Sequence, residues 1–373
     1  MIGTRGLPAT DGGVEMAVEA LSRELARRGH HVTVYGRRPY CDPDLRWHEG
    51  IHQIPAPAAN TKHLEAISHT ALAAGHCLTT SDYDLVHFHA IGPSLLSWLP
   101  KLRRLPTVAT IHACDWKREK WGVVAKSVLR VGVRVAATAP DKTIAVSYVL
   151  RDLLQKTYGR QPRYIPNGVY LSAMSETLPI DGIGDRPFVL FLGRLVPEKQ
   201  VHVLIRAFAR LRGDFQLVIA GSSSHSDAYV DEVNQLAAAD DRVMMVGSRY
   251  GAEKAWLLRN AAVFVQPSTL EGQPIALLEA LACDRFTIVS DIPENVAVVT
   301  LGDDEPFGLI FRAGDIGDLA RKLELALSPG SRLLSDTPRC GQLVQDRYDW
   351  ARIAGETEAV YREAVAAGDR ITH

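Results

Sequence analysis

The feature that most constrains the fold is an alternation of short apolar runs with amphipathic stretches along both halves of the chain. The runs are five or six residues long and rich in β-branched residues, as buried strands are. They are HVTVY (31–35), DLVHFH (84–89), TVATIH (107–112), KTIAVS (142–147), FVLFLG (188–193), QLVIAG (216–221), RVMMVG (242–247), VFVQPS (263–268) and FTIVSD (286–291). Near-continuous apolar strands separated by helices predict parallel sheets that are covered on both faces.

The chain is long enough for two such sheets, since 373 residues correspond to about two domains of ordinary size. The apolar residues Val14, Ala17, Val18, Leu21 and Leu25 have helical spacing, and Gly29 ends that helix. Residues 171–187 are rich in small, turn-forming residues and predict a linker. We therefore predict two doubly wound, Rossmann-like domains over 1–178 and 179–348, followed by a C-terminal helix over 349–373.

The start of the chain fits this scheme poorly. A first parallel strand should precede the loop that follows Gly3, yet only Met1 and Ile2 are available. We expect either a very short first strand or a true start that lies upstream of Met1.

Composition excludes several classes of protein. The formal net charge of -1 and the isoelectric point near 6.9 argue against general nucleic-acid binding. The sequence has neither a long apolar run for a membrane span nor a signal-peptide layout at its start. Its five cysteines are odd in number, widely spaced and without a CxxC pair, which indicates a reducing compartment and no zinc site. We expect a cytoplasmic protein.

Charge is distributed unevenly between the halves. Residues 1–178 carry 22 Lys and Arg against 15 Asp and Glu, whereas residues 179–373 carry 20 against 28. This asymmetry suggests different partners for the two halves. Six of the cations lie within residues 117–134, interleaved with Trp121 and several valines. This segment fits either a helix lying on an anionic membrane or an ordinary domain helix with a solvated basic face.

Polar residues follow several predicted strands, at the end where open α/β sheets bind ligands. Arg194 and Lys199 share a short loop after the strand at 188–193. Two cations there could neutralise a diphosphate without a metal. In the first half, His112 and Asp115 follow the strand at 107–112. Taken alone each feature is ambiguous, because most loop cations are simply solvated.

Two glutamates, Glu271 and Glu279, follow the strand at 263–268. Glu279 is the only polar residue between Pro274 and Ala282, and a helix that is apolar all round is buried. A buried carboxylate needs donors, either from the protein or from ligand hydroxyls. The alternative is a helix with one partly exposed glutamate.

Metal-binding patterns are weak. Asp42 with Asp44 and Asp82 with Asp84 have the spacing of a metal-binding DxD motif, but neither pair follows a predicted strand. A zinc site made of His87, His89 and His112 is conceivable. No carboxylate motif accompanies these histidines, so we interpret them as residues that line the site, and we predict no metal.

The segments GTRGLPATDGGVE, IHACDWKREKW, GRLVPEK and EGQPIALLE, in this order, resemble the retaining glycosyltransferases of the GT-B fold, glycosyltransferase family 4. The N-terminal segment is similar to the rhamnosyltransferase-like subgroup, although Ala113 stands where that subgroup more often has glycine. The resemblance covers nearly the whole chain, including DWARIAGETEAVYREAV (349–365). It implies two Rossmann-like domains facing a central cleft, with the C-terminal helix crossing back to the first.

The resemblance also implies roles for single residues of the second domain. Arg194 and Lys199 match the pair that holds the donor diphosphate. Glu271 matches a glutamate near the donor sugar ring, and Glu279 one that accepts hydrogen bonds from ribose hydroxyls. The remaining donor-binding positions are backbone contacts and a base-binding loop, namely Gly272, Gln273, Pro274, Ser248, Arg249 and Tyr250.

In the first domain, His112 matches a histidine that contacts the donor sugar. Gly12 and Gly13 match a glycine pair that lets backbone N–H groups at a helix start approach the phosphates. We assign His89 and Asp115 to the acceptor side.

The activity implied is retaining transfer of a hexose from a nucleotide-diphosphate sugar to a hydroxyl of a glycan or lipid-linked acceptor. The expected context is cell-envelope polysaccharide or glycolipid synthesis at the inner face of the plasma membrane, without cofactor, metal or nucleic acid. The alternatives are a degenerate sugar-nucleotide-binding subunit, or another enzyme of the same architecture, such as a nucleotide-sugar epimerase or a phosphorylase.

Overall fold

The structure, a computed structural model, describes residues 1–9, 12–59, 64–80, 82–114, 123–170, 176–184, 186–223, 227–301, 306–328, 331–334 and 339–369. The chain divides into two compact units, of which the first comprises Met1–Gly168 with Trp350–His373 and the second comprises Val169–Asp349. Strands alternate with helices in both units, which confirms the predicted α/β class.

The first unit contains seven strands within the described residues. They are β1 Thr33–Arg37, β2 Trp47–His48, β3 Ile51–Ala56, β4 Val86–His89, β5 Thr107–Ile111, β6 Lys142–Ala145 and β7 Arg163–Tyr164. They pair in the orders β1-β3-β2 and β4-β5-β6-β7, and every pair is parallel except β2 with β3. Ile2 forms parallel bridges to Tyr35 of β1 and to Phe88 of β4. Ile2 therefore joins the two sets of strands at the place where a first strand was expected.

The second unit contains a six-stranded parallel sheet. Its strands are β8 Phe188–Leu192, β9 Gln216–Ala220, β10 Val243–Gly247, β11 Val263–Gln266, β12 Phe286–Ser290 and β13 Gly308–Phe311. The strand order is β10-β9-β8-β11-β12-β13. The chain winds outward from β8 in one direction and from β11 in the other, so β8 and β11 flank the point where ligands bind in doubly wound sheets.

Helices cover these sheets. They are α1 Gly13–Arg27, α2 Glu65–Thr79, α3 Ile91–Ser94, α4 Val123–Thr138, α5 Tyr148–Tyr158, α6 Val201–Phe208, α7 Asp227–Ala238, α8 Gly251–Asn260, α9 Ile275–Ala282, α10 Pro293–Val299, α11 Ile316–Leu327, α12 Gly341–Tyr348 and α13 Trp350–Asp369. Of the periodic apolar residues predicted for the first helix, Val18, Leu21 and Leu25 are buried. Gly29 follows the end of this helix with φ 93°. No helix of the described ranges is long and apolar enough to cross a bilayer.

The core of the second unit has two layers, one on each face of its sheet. Phe191 and Phe208 belong to one layer, and Leu190 and Phe264 belong to the other. Val169 and Ile180 also pack in the second layer. Because these two residues belong to the second core, the units divide at 168/169 rather than at the predicted 178/179. Of the predicted linker, 171–175 and 185 lie outside the described residues.

Candidate functional site

Three consecutive strands of the second unit end in glycine at the carboxyl edge of the sheet. Gly193 follows β8, Gly221 follows β9, and Gly247 ends β10. The Gly193 N–H donates to Ala220, and the Gly221 N–H donates to Gly247 over 2.8 Å. A Cβ on Gly221 would lie only 1.8 Å from the Gly193 carbonyl oxygen. These glycines allow the backbones to approach closely and place no side chain directly at the ends of β8, β9 and β10.

Lys199 and Glu271 meet at the switch point between β8 and β11. Lys199 ends a short 3-10 turn, Pro197–Lys199, and its ammonium donates to Glu271 Oε1 over 2.6 Å. The two loops are also joined by backbone, since the Thr269 N–H donates to the Glu198 carbonyl over 2.9 Å. Both charged groups are largely buried, with 18% and 8% of the side chains exposed. The structure thus brings together two residues that the sequence placed in separate loops.

Two further groups, which sequence reasoning missed, act on Glu271. Gln266 Nε2 donates to Glu271 Oε1 over 2.6 Å and to Ser268 Oγ over 2.9 Å. Burial by itself raises the pKa of the Glu271 carboxyl, but the Lys199 charge and hydrogen bonds from Lys199, Ser268 and Gln266 together lower it below its ordinary value. Glu271 is therefore a buried carboxylate held in its charged form.

Arg194 has a different environment from Lys199. It directly follows Gly193, where the backbone leaves the sheet, and its side chain is exposed. The loop therefore carries one exposed guanidinium beside one largely buried ammonium.

Glu279 lies on α9 and pairs with Lys254 of α8 across 2.6 Å. The carboxylate is buried, and the structure supplies the donor that a buried glutamate in an apolar helix requires. Lys254 carried no sequence signal, because helices α8 and α9 come together only through the fold. A lysine therefore accompanies each of the two predicted glutamates.

The remaining predicted residues of the second unit surround these pairs. Gly272, Gln273 and Pro274 form a buried segment that leads into α9. Ser248 exchanges a hydrogen bond of 2.7 Å with Ser222, which follows Gly221. Arg249 pairs with Glu253 on the next helix. Tyr250 stands at the N-terminus of α8 and is 45% exposed.

In the first unit, the glycine pair stands at the start of α1 as expected. Gly12 has φ 90°, and its carbonyl accepts from the Met16 N–H over 3.2 Å. A Cβ there would lie 2.3 Å from Glu15 Oε2. Arg5 approaches the same glutamate at 3.9 Å. A carboxylate thus already occupies the first turn of α1, where a phosphate was predicted to bind.

His87, His89 and His112 lie together at the ends of β4 and β5. His89 Nδ1 is 3.2 Å from His112 Nε2, and the rings of His87 and His89 have centroids 4.0 Å apart. The two nitrogens of His87 contact the hydroxyls of Tyr361 and Thr110 at 2.6 and 2.7 Å. Since both are occupied, His87 has no nitrogen left for a metal. Asp115, predicted on the acceptor side, lies outside the described residues.

Burial keeps His87 and His89 neutral. It lowers the pKa values of His87 and His89 well below their ordinary value, and the neighbouring histidines and terminal amine add to the effect. At neutral pH, His89 is therefore an uncharged imidazole beside His112.

A different cluster, not singled out by the sequence, brings possible metal ligands within 4.8 Å of one another in the described part of the chain. It consists of Glu19, His48 and Glu49. Arg23 forms ion pairs with both glutamates. Because a guanidinium already neutralises these carboxylates, we interpret the cluster as a network of ion pairs.

Comparison with known proteins shows which protein families this chain resembles. Residues 11–173 match a family described as "Glycosyltransferase Family 4", and residues 176–336 match one described as "Glycosyl transferases group 1". Alpha-maltose-1-phosphate synthase of Mycolicibacterium smegmatis is 30% identical over 386 residues, covering 91% of this chain and 95% of that protein.

Solved structures show the same architecture. Sucrose-phosphate synthase from Thermosynechococcus elongatus matches with a TM-score of 0.79 at 22% identity, covering 98% of this chain and 96% of that one. Anabaena HepE, solved in complex with UDP-glucose, matches with a TM-score of 0.76 at 17% identity, covering 98% and 99%. The prediction of two Rossmann-like domains of this fold is confirmed.

Proposed function

Because the chain belongs to the GT-B glycosyltransferases, with a Glycosyltransferase Family 4 domain before a group 1 domain, we propose that it transfers a hexose from a nucleotide-diphosphate sugar to an acceptor hydroxyl with retention of configuration. The observation that carries this proposal is the Lys199–Glu271 pair at the switch point of the second sheet. The assignment to a rhamnosyltransferase-like subgroup stays a prediction.

The cations of the β8 loop suit a diphosphate leaving group. Lys199 has three N–H donors, so it can keep its contact with Glu271 and still donate to a phosphate oxygen. Arg194, exposed in the same loop, can close onto the second phosphate in a bidentate manner. Their charge stabilises the negative charge that develops as the nucleoside diphosphate departs. We infer that the reaction needs no metal.

The two glutamates bind different parts of the donor in this proposal. Glu271 is held in its charged form near the reacting sugar ring, whereas Glu279 accepts hydrogen bonds from the ribose. His112 contacts the sugar from the first unit. The acceptor hydroxyl attacks the face from which the diphosphate leaves, and that diphosphate takes the proton. The chain itself orients both substrates and supplies no covalent nucleophile.

The proposed acceptor and cellular context rest on the family resemblance and on the charge of the first unit. We infer that the acceptor is a glycan or is lipid-linked, and that the protein acts in the cytoplasm at the inner face of the plasma membrane. We also infer a role in envelope polysaccharide or glycolipid synthesis. A unit rich in Lys and Arg favours an anionic surface or an acceptor that carries phosphate.

A panel of nucleotide sugars tests the proposal without a known acceptor. We expect one donor class to raise the melting temperature and to be hydrolysed slowly, and we expect Lys199→Met to abolish both effects. Lys322→Met, on α11 of the same unit, serves as the matched control. Donor turnover should persist in excess EDTA. If no nucleotide sugar is bound or hydrolysed, the proposal fails, and loss of turnover in EDTA that Mn²⁺ restores would refute metal independence.

A further inference from the structure

Gln266 is an unusual residue for its position. It ends β11, whose other three residues are Val263, Phe264 and Val265, and it is completely buried. Burying an amide is unfavourable unless its donors and acceptors find partners. A long polar side chain at the end of an apolar strand therefore points to a specific contact.

The donors of the Gln266 amide are fully used. One N–H of Nε2 reaches Glu271 Oε1 at 2.6 Å, and the other reaches Ser268 Oγ at 2.9 Å. Lys199 donates to the same oxygen of Glu271, also at 2.6 Å. Two donors, one from the loop after β8 and one from β11, thus converge on one carboxylate oxygen and fix its position.

The acceptor of the same amide is not satisfied. Gln266 Oε1 is buried and has no hydrogen-bond partner in the described part of the chain. Flipping the amide would turn this oxygen towards Glu271, where two acceptors would repel each other. The fold thus leaves an oxygen unpaired in order to present N–H groups to the carboxylate.

A group of buried polar side chains forms hydrogen bonds around the strand end that carries Gln266. Asn295 of α10 donates from Nδ2 to Ser290 Oγ at 2.8 Å and to the Gln266 carbonyl at 3.4 Å. Ser290 of β12 donates in turn to the Ser268 carbonyl at 2.5 Å. The four side chains are all completely buried. Since they connect β11, β12 and α10, they restrict movement of the strand end that carries Gln266.

We propose that Gln266 is a positioning residue that holds the Glu271 carboxylate charged and in a fixed orientation towards the reacting sugar. The inference rests on the proposed function, in which Glu271 lies beside that sugar. Gln266 itself touches no substrate, so its contribution passes through Glu271. The charge that acts on Glu271 comes from Lys199, while Gln266 and Ser268 act through hydrogen bonds.

The experiment replaces Gln266 by methionine, which has a similar length and no donor. In Gln266→Met we expect the turnover of bound donor to fall about tenfold, because orientation errors reduce the rate more than the affinity. The donor KM should change less than about threefold, since the donor's own contacts remain. The acid limb of the pH–rate profile should move to higher pH, because Glu271 loses one group that favours its charged form.

Gln216→Met is the matched control. Gln216 begins β9, at the amino-terminal end of the strands of the same sheet, and its amide oxygen is likewise buried without a partner among the described residues. It should leave turnover and the pH profile unchanged. If Gln266→Met does not fold, Gln266→Glu replaces it, since a second carboxylate beside Glu271 raises the pKa of the pair and moves the acid limb in the same direction.

Glu271→Gln separates this inference from the proposed function. If Glu271→Gln loses turnover while the folded Gln266 variant keeps the wild-type rate and pH profile, the positioning role is overturned and the proposed function stands. If Glu271→Gln keeps the wild-type rate, the role proposed for Glu271 fails, and that of Gln266 fails with it.

Discussion

At the scale of single residues, each buried glutamate of the candidate site has its own lysine. Lys199 pairs with Glu271, and Lys254 pairs with Glu279, both across 2.6 Å. Breaking a buried ion pair by removing one partner leaves the other charge uncompensated, which is strongly destabilising. Substitutions at these four positions therefore need a check of stability beside every measurement of activity.

The two glutamates should differ in their kinetic effect. Glu279→Ala should mainly weaken donor binding, because ribose hydroxyls lose an acceptor, which costs about 1–3 kcal/mol. Glu271→Ala should mainly reduce turnover of bound donor, because its contacts are made close to the reacting ring. Donor titration and single-turnover hydrolysis measure the two quantities separately.

An exposed glutamate of the same unit, Glu324 on α11, gives the control for this comparison. Glu324→Ala should leave binding and turnover unchanged. The assignment is contradicted if Glu271→Ala and Glu279→Ala weaken binding equally while bound donor turns over at the normal rate.

A buried histidine outside the candidate site makes stability depend on pH. His69 of α2 is fully buried, and neither ring nitrogen has a hydrogen-bond partner in the described residues. Its pKa is lowered to about 4, first because burial disfavours the imidazolium and then because Arg37 repels it, while Gly36 and Glu65 oppose the shift. The unfolded chain, with an ordinary pKa near 6.5, therefore binds a proton that the folded chain excludes.

We expect the free energy of unfolding to fall by about 1 kcal/mol per pH unit through His69 as the pH drops from about 6.5 towards 4. His69→Leu should remove this dependence and should be neutral or stabilising at pH 7.5. Urea unfolding at several pH values measures both effects, and the exposed His31→Leu is the control. An unchanged pH slope in His69→Leu would contradict the assignment.

The sequence indicated candidate site residues but not their partners. Arg194, Lys199 and Glu271 were candidates because they follow buried strands, where parallel sheets bind ligands. Gln266 was not found, because it was counted as part of an apolar strand. Lys254 was not found, because its pairing with Glu279 joins two helices and depends on how they pack. When two paired residues lie in different helices or strands, the sequence around either of them does not reveal the pairing.

At the scale of elements, α13 belongs to the first unit although it follows the second in sequence. Glu358 pairs with Arg28 at the end of α1, and Glu363 pairs with Lys142 and Arg163. Its apolar face buries Ile353 and Val360. The ion pairs of Glu363 are exposed and contribute little, so the apolar face supplies most of the free energy that holds this helix.

We therefore expect Ile353→Ala to destabilise the docking of α13 by about 2–5 kcal/mol. Glu363→Gln should cost only about 0.5 kcal/mol, because its ion pairs are close to solvent and are screened by salt. Hydrogen exchange of the α13 amides reports the opening of this helix directly. Equal losses of protection in both variants would show that the ion pairs, and not the apolar face, hold the helix.

Strand prediction succeeded in the centre of the sheets and missed four of the described strands, β2, β3, β7 and β13, which lie nearer their edges. The segments predicted at 188–193, 216–221 and 263–268 contain β8, β9 and β11. β3, Ile51–Ala56, was missed because its sequence IHQIPA mixes apolar with polar residues and contains a proline. β13 was missed because it begins with Gly308, which leaves only three consecutive apolar residues. Edge strands are less buried and have weaker apolar patterns.

At the scale of the whole molecule, the charge asymmetry follows the structural division. The first unit, with α13 included, carries 25 Lys and Arg against 18 Asp and Glu, whereas the second carries 17 against 25. Of the basic segment, the described side chains include Arg130 and Arg134 on α4, both exposed. Val128 and Val131 beside them are exposed as well. Exposed valines between cations suit the boundary between headgroups and acyl chains.

We expect the protein to sediment with anionic liposomes at low salt and to be released steeply towards physiological salt. Each cation near such a surface contributes about 1 kcal/mol, which shrinks with the Debye length. Changing Lys117, Lys120, Arg130 and Arg134 to Gln should weaken binding further. Arg206→Gln with Arg321→Gln, exposed on the second unit, is the control. If the intact protein ignores anionic liposomes at low salt, the segment is a solvated face and a soluble acceptor is the better proposal.

The approach of Gly221 to Gly193 has a practical consequence for altering donor choice by mutagenesis. Any side chain at Gly221 would push the Gly193 carbonyl aside and move the neighbouring Arg194 with it. We expect libraries randomised at Gly221 to lose function whichever donor is used for selection. Ser222 and Ser248 offer an alternative, because their hydroxyls meet in an exposed position on the adjoining loops. Diversity should therefore be introduced at the two serines and withheld from the glycines.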